Sequence, residues 1–131
     1  MLIKDSRLVP AFISKDNCAI RELIHPARDG ASPGLSLAQA EVAPGRATRA
    51  HCLDRLEIYY ILSGQGLMRV GDESAAVGPG QAVYIPAGER QFIENIGPAP
   101  LIFLCICHPA YDPAGDQALG GEGRTPEGDG P

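Results

Sequence analysis

Two glycine-bounded stretches constrain this chain more than any other feature: residues 45–64, GRATRAHCLDRLEIYYILSG, and residues 80–95, GQAVYIPAGERQFIEN. Short apolar runs sit between glycines, and the second stretch is broken at Pro86 and Gly88. Such runs suit strands, and Gly and Pro supply the turns that end them. The pattern recurs along the chain. Strands are expected over 35–42, 48–53, 57–62, 66–70, 74–77, 82–85, 91–96 and 101–107, each bounded by Gly, Pro, Asn or Asp; residues 20–24 could add another. Residues 25–33, with Pro26, Gly30 and Pro33, read as a loop. No window holds a helical period longer than a few residues, and 12 Pro and 16 Gly punctuate too often for long helices. The fold class expected is all-β, an antiparallel barrel or jelly roll.

With 131 residues, the chain is expected to form one domain with a single modest core. Residues 1–34 read as an N-terminal arm whose strands complete the barrel or a dimer, residues 35–111 as the barrel, and residues 112–131 as a tail. That tail holds six Gly, three Pro and one large apolar residue, Leu119, and carries −4 of the net −5 charge. Such a segment buries too little to offset the entropy of ordering it, so a disordered acidic tail is expected. The near-neutral body offers no footprint for nucleic acid or an anionic membrane surface. No apolar run is long enough to span a bilayer. Cys18, Cys52, Cys105 and Cys107 form no CxxC pair, and a reduced, cytoplasmic setting is the expectation.

Strand parity brings chemistry together. Alternate side chains share a face, so His51 points with Arg49 and Leu53, Glu57 with Tyr59 and Ile61, and Gln91 with Ile93 and Asn95. If these faces look inward, an imidazole, a carboxylate and an amide converge in the barrel. The two stretches resemble the paired motifs of the cupin superfamily, G-x5-H-x-H-x3-E-x6-G and G-x5-P-x-G-x2-H-x3-N. Gly45, His51, Glu57, Gly64, Gly80, Pro86, Gly88 and Asn95 fall in register, and the likeness covers roughly residues 35–110. Leu53 and Gln91 stand where the second and third His belong. The resemblance implies a small single-domain cupin: a double-stranded β-helix, or jelly roll, of RmlC-like type. It also implies a divalent transition metal (Mn, Fe, Ni, Cu or Zn) at His51 and Glu57, with Gln91 as third candidate ligand.

Each residue has a plainer reading. His51 could be a hydrogen-bonded barrel histidine, Glu57 a carboxylate paired with Arg49 or Arg55, and Gln91 a substrate hydrogen-bonder or a polar plug joining the other two. Tyr59 and Arg49 are candidates for lining the cavity, although core packing is the default for Tyr59. His25 and His108 are expected to bind nothing, and Cys105 and Cys107 to be core. The function expected is a metal-dependent oxygenase, isomerase or lyase acting on a small polar metabolite. The alternative is a non-catalytic binding or sensing cupin. Small cupins resemble one another in pairing through N-terminal strands, so a homodimer is expected.

Overall fold

The computed structural model describes residues 1–30 and 34–119. Eleven strands run in chain order: β1 (Phe12–Ile13), β2 (Ala19–Ile24), β3 (Ser36–Val42), β4 (His51–Leu53), β5 (Leu56–Ser63), β6 (Gly66–Val70), β7 (Glu73–Val77), β8 (Ala82–Ile85), β9 (Gln91–Asn95), β10 (Leu101–His108) and β11 (Asp116–Ala118). They form a six-stranded sheet ordered β1-β2-β3-β10-β5-β8 and a five-stranded sheet ordered β11-β4-β9-β6-β7. All pairings are antiparallel. This is the expected jelly roll. Val42, Ile61, Ile85, Ile93, Leu101 and Phe103 are almost wholly buried and form the core with their neighbours.

Parity on β5 shows why the sheet has two characters. Glu57, Tyr59 and Ile61 are buried, while Tyr60 and Leu62, on the alternate positions, are exposed. On β9 the inward set is Gln91, Ile93 and Asn95. Phe92, on the other face, is also covered, because the guanidinium groups of Arg69 and Arg90 lie 5.7 and 5.3 Å from its ring centroid.

The motif residues outside the site are structural for identifiable reasons. Asn95 donates its amide N–H groups to the carbonyls of Val42 at 2.9 Å and Ala99 at 2.8 Å, and its Oδ1 accepts from the Gly97 N–H at 2.9 Å. A buried amide so fully satisfied fixes the turn after β9. Gly64 has φ +91°, and a Cβ there would meet the Pro100 carbonyl oxygen at 2.6 Å and Leu101 Cα at 2.8 Å. Both the left-handed backbone and the approaching β10 require glycine.

Three parts of the structure differ from expectation. Residues 26–29 form a one-turn helix, α1 (Pro26–Asp29), within the expected loop. His25 caps it: Nδ1 accepts from the Ala27 N–H at 3.1 Å, and Nε2 meets the Tyr111 carbonyl at 2.7 Å. Strand β4 is shorter than the expected 48–53. The Thr48 and Arg49 N–H groups instead donate to the Ile93 and Asp16 carbonyls, each at 2.9 Å.

The largest correction concerns the tail. A 3-10 turn at Pro113–Gly115 leads into β11, which pairs with β4 through Asp116↔Leu53, Gln117↔Cys52 and Ala118↔His51. Composition concealed this because a sheet edge needs only backbone groups, and one buried side chain, Asp116, anchors the segment. Residues 120–131 of the expected tail lie outside the described residues.

Two stability effects are expected. Gly64→Ala should lower the melting temperature by well over 5 °C in calorimetry, since relieving its two contacts requires β10 to move. A chain ending at Asp112 should melt several degrees below one ending at Leu119. Equal melting temperatures would mean that β11 contributes nothing to the fold.

Candidate functional site

The two motifs meet along a short seam. His51 on β4 pairs with Gln91 on β9, and the Gly88 N–H donates to the Leu53 carbonyl at 2.7 Å. Beside the seam, Thr48 Oγ1 accepts from the Ile93 N–H at 2.9 Å. On the adjoining sheet Glu57, second residue of β5, stands opposite Cys107 of β10. His51, Glu57 and Gln91 are all buried.

A cavity of about 390 Å³ opens between the sheets, with His51, Glu57 and Tyr59 among its lining residues. Gln91 reaches this group through a hydrogen bond. Its Oε1 accepts from the Tyr59 hydroxyl at 3.3 Å, and its amide favours the charged form of the Glu57 carboxyl. Arg49 contributes main chain: its carbonyl meets His51 Nδ1 at 2.9 Å, a contact that suits a proton on Nδ1 and leaves the Nε2 lone pair available. The Arg49 Nε is buried without a hydrogen-bond partner.

Glu57 is not ion-paired with Arg49 or Arg55 as one sequence reading allowed. Arg55 turns to Asp54 at 2.6 Å and to the Ala110 carbonyl. Glu57 Oε2 accepts from the Cys107 thiol at 3.5 Å, and Oε1 has no partner. Burial pushes its carboxyl up to about 7, against the pull of His51, Cys107 and Gln91 toward the charged form.

Two residues escaped the sequence reading. Asp16, in the turn between β1 and β2, and Asp116, at the start of β11, also line the cavity. One ligand atom from each of Asp16, His51 and Asp116 lies within 4.8 Å of the others, so this His/Asp group could hold a metal ion. Asp16 is fixed by its carbonyl, which accepts the Arg49 N–H, and its Oδ1 stands 3.7 Å from His51 Nδ1. Asp116 Oδ2 accepts from the Tyr111 hydroxyl at 2.7 Å, while Lys15 Nζ lies 3.8 Å away. Asp116 Oδ1 and Asp16 Oδ1 are buried and unpartnered. Burial raises the Asp16 carboxyl above its usual range, and the nearby Asp116 adds to the rise. No sequence signal marked either residue: one sits in a polar turn of the arm, the other among the glycines of the expected tail.

The thiols carry no separate chemistry. All four cysteines are free, and burial holds Cys18 at about 11 and pushes Cys105 and Cys107 higher still. The thiols of Cys18, Cys105 and Cys107 therefore stay un-ionised at neutral pH. No helix among the described residues is long and apolar enough to cross a membrane.

A family model for the Cupin domain matches residues 38–107. The chain belongs to the cupin family. This cupin is 43% identical over 106 residues to protein MJ1618 of Methanocaldococcus jannaschii, covering 79% of this chain and 82% of that one. It is 31% identical over 70 residues to the oxalate-binding protein of Thermotoga maritima, covering 53% of this chain and 58% of that one. Among solved structures, the polyketide cyclase RemF from Streptomyces resistomycificus matches with a TM-score of 0.78 at 25% identity, covering 92% of this chain and 86% of that one.

The buried carboxyls make stability depend on pH. Glu57 holds its proton more tightly folded than unfolded, so it favours the fold below about 4.5 and loses that contribution as pH rises through about 7. The metal-free protein should therefore melt lower at pH 8 than at pH 5, with Glu57 accounting for up to roughly 3 kcal/mol. Calorimetry of Glu57→Gln should show a clearly flatter pH dependence; an unchanged slope would place the cause elsewhere.

Proposed function

We propose that this cupin binds a divalent transition metal at His51 and acts on a small molecule held in the adjoining cavity. The observation that carries the reading is the set of buried, unpartnered carboxylate oxygens on Asp16, Glu57 and Asp116 around one cavity-facing imidazole. Buried charges without partners are costly, and a cation would satisfy them. An imidazole with carboxylate and amide oxygens is a donor set suited to Mn or Fe(II), with Zn or Ni also compatible.

The motif positions supply the first donor set: His51, Glu57 and Gln91. Gln91 would take part through the second lone pair of the oxygen that accepts from Tyr59. The proximity of Asp16, His51 and Asp116 favours a second set, in which two aspartates from outside the motifs supply the oxygens. Both sets share His51. The bound ion would supply Lewis-acid polarisation of a substrate carbonyl or hydroxyl. Tyr59 donates to Gln91, and where the aspartate set holds the ion, the Glu57 carboxyl, raised by burial, is left to accept or return a proton at the substrate. The reaction class proposed is oxygenation, isomerisation or elimination. Oxalate binding and polyketide cyclisation, named for the relatives, are the two ligand precedents. Turnover separates this enzyme from a binding or sensing cupin built on the same cavity.

A homodimer is proposed as the working assembly. Leu8, Phe12 and Ile13 of the arm are exposed apolar residues, and β1 ends the six-stranded sheet unpaired on one side.

Metal titration calorimetry with Mn(II) and Zn(II), backed by elemental analysis, tests the site without any assay of turnover. His51→Ala should abolish binding. Glu57→Gln should weaken it, and Gln91→His strengthen it, if the motif set holds the ion; Asp116→Asn should weaken it at least tenfold if the aspartate set does. Wild-type affinity in His51→Ala would end the metal reading altogether.

A further inference from the structure

The cavity has two unlike sides. Ile20, Ala38, Ala40 and Phe103, from β2, β3 and β10, give it an apolar wall, to which Cys18 and Cys105 add un-ionised sulfur. Glu22 of β2 also borders the cavity, its carboxylate paired with Arg28 at 2.8 Å, and the remaining ionisable groups come from other elements: Asp16 from the arm turn, His51 from β4, Glu57 from β5 and Asp116 from β11. Phe12 and Ile13 also border the cavity and extend its apolar lining.

Charge narrows the ligand further. Four carboxylates line the cavity; that of Glu22 is paired with Arg28 at 2.8 Å, and the one lysine lining it, Lys15, is committed to Asp116: its Nζ lies 3.1 Å from that residue's carbonyl and 3.8 Å from its carboxylate. A divalent ion would offset part of this negative charge without reversing it. A small dianion gains little there and leaves the apolar wall wet. At about 390 Å³ the space falls within the roughly 300–1,000 Å³ common for small organic ligands and is far larger than a two-carbon acid needs.

We infer that this cavity takes a neutral, largely apolar molecule of one or two rings, with its hydroxyl or carbonyl end toward His51 and its ring on the wall of Ile20, Ala38 and Ala40, in preference to a small dianion. The inference deepens the reading of the cavity as the ligand site and rests on it, but it does not require the metal to be present.

The test compares 1,8-dihydroxynaphthalene and oxalate on the full chain by calorimetry, once with Mn(II) and once with a chelator. The diol should bind at least tenfold more tightly than oxalate in the Mn(II) arm. Ala38→Phe, which fills the wall, should weaken the diol at least tenfold while leaving the Mn(II) content unchanged. In the wild-type protein, nuclear Overhauser contacts should join the ring protons to the methyls of Ile20, Ala38 and Ala40, a readout that does not depend on the variant folding. Tighter oxalate binding in the Mn(II) arm, or the absence of those contacts at saturating diol, overturns the inference. Diol binding with the expected contacts in a protein that takes up no Mn(II) supports it and removes the metal reading alone.

Discussion

The hydrogen-bonded seam between β4 and β9 holds the site together. It is short: the His51↔Gln91 pair, the Gly88–Leu53 bond at 2.7 Å, and the Thr48–Ile93 bonds beside it. Yet it sets the height of His51 against Gln91, and Gln91 in turn bears on Tyr59 and Glu57 of the other sheet. Moving β4 by one residue would send His51 outward and bring Cys52 in, because side chains alternate with every residue. The turn at Pro86–Gly88 prevents that slip by fixing the Leu53 carbonyl to the chain that delivers Gln91.

Burial then does two opposed things in one place. It gives the barrel its stability through Ile61, Ile93 and Phe103, and it encloses carboxylates that would be better solvated outside. Glu57 accepts only from a thiol, and it and the two aspartates each keep an unpartnered oxygen. A structure built for stability alone would place apolar groups there. These unpartnered carboxylate oxygens are what the proposed cation would satisfy.

The barrel was legible because strand parity and turn residues are local. Gly66–Val70 and Ala82–Ile85 fall where the alternation and the bounding glycines place them. His51, Glu57 and Gln91 were legible for the same reason, since fixed spacing within paired strands carries them to one place. Asp16 and Asp116 were not. Their approach to His51 depends on the Arg49–Asp16 main-chain bond and on β11 pairing with β4, both long-range backbone events to which side-chain identity contributes little. Composition misled at Asp116, where a glycine-rich, acidic segment supplies an edge strand.

The position of β11 has a consequence for how the site comes into being. Asp16 and Asp116 stand near opposite ends of the described chain, so the contact between arm and last strand closes one of the longest loops in the molecule. Loop closure of that span is entropically late, and a three-residue edge strand is weakly held once formed. The cavity thus has a floor, fixed by the barrel, and a side wall that assembles last and opens first. Fraying of that strand could admit or release a ligand while the two sheets remain intact.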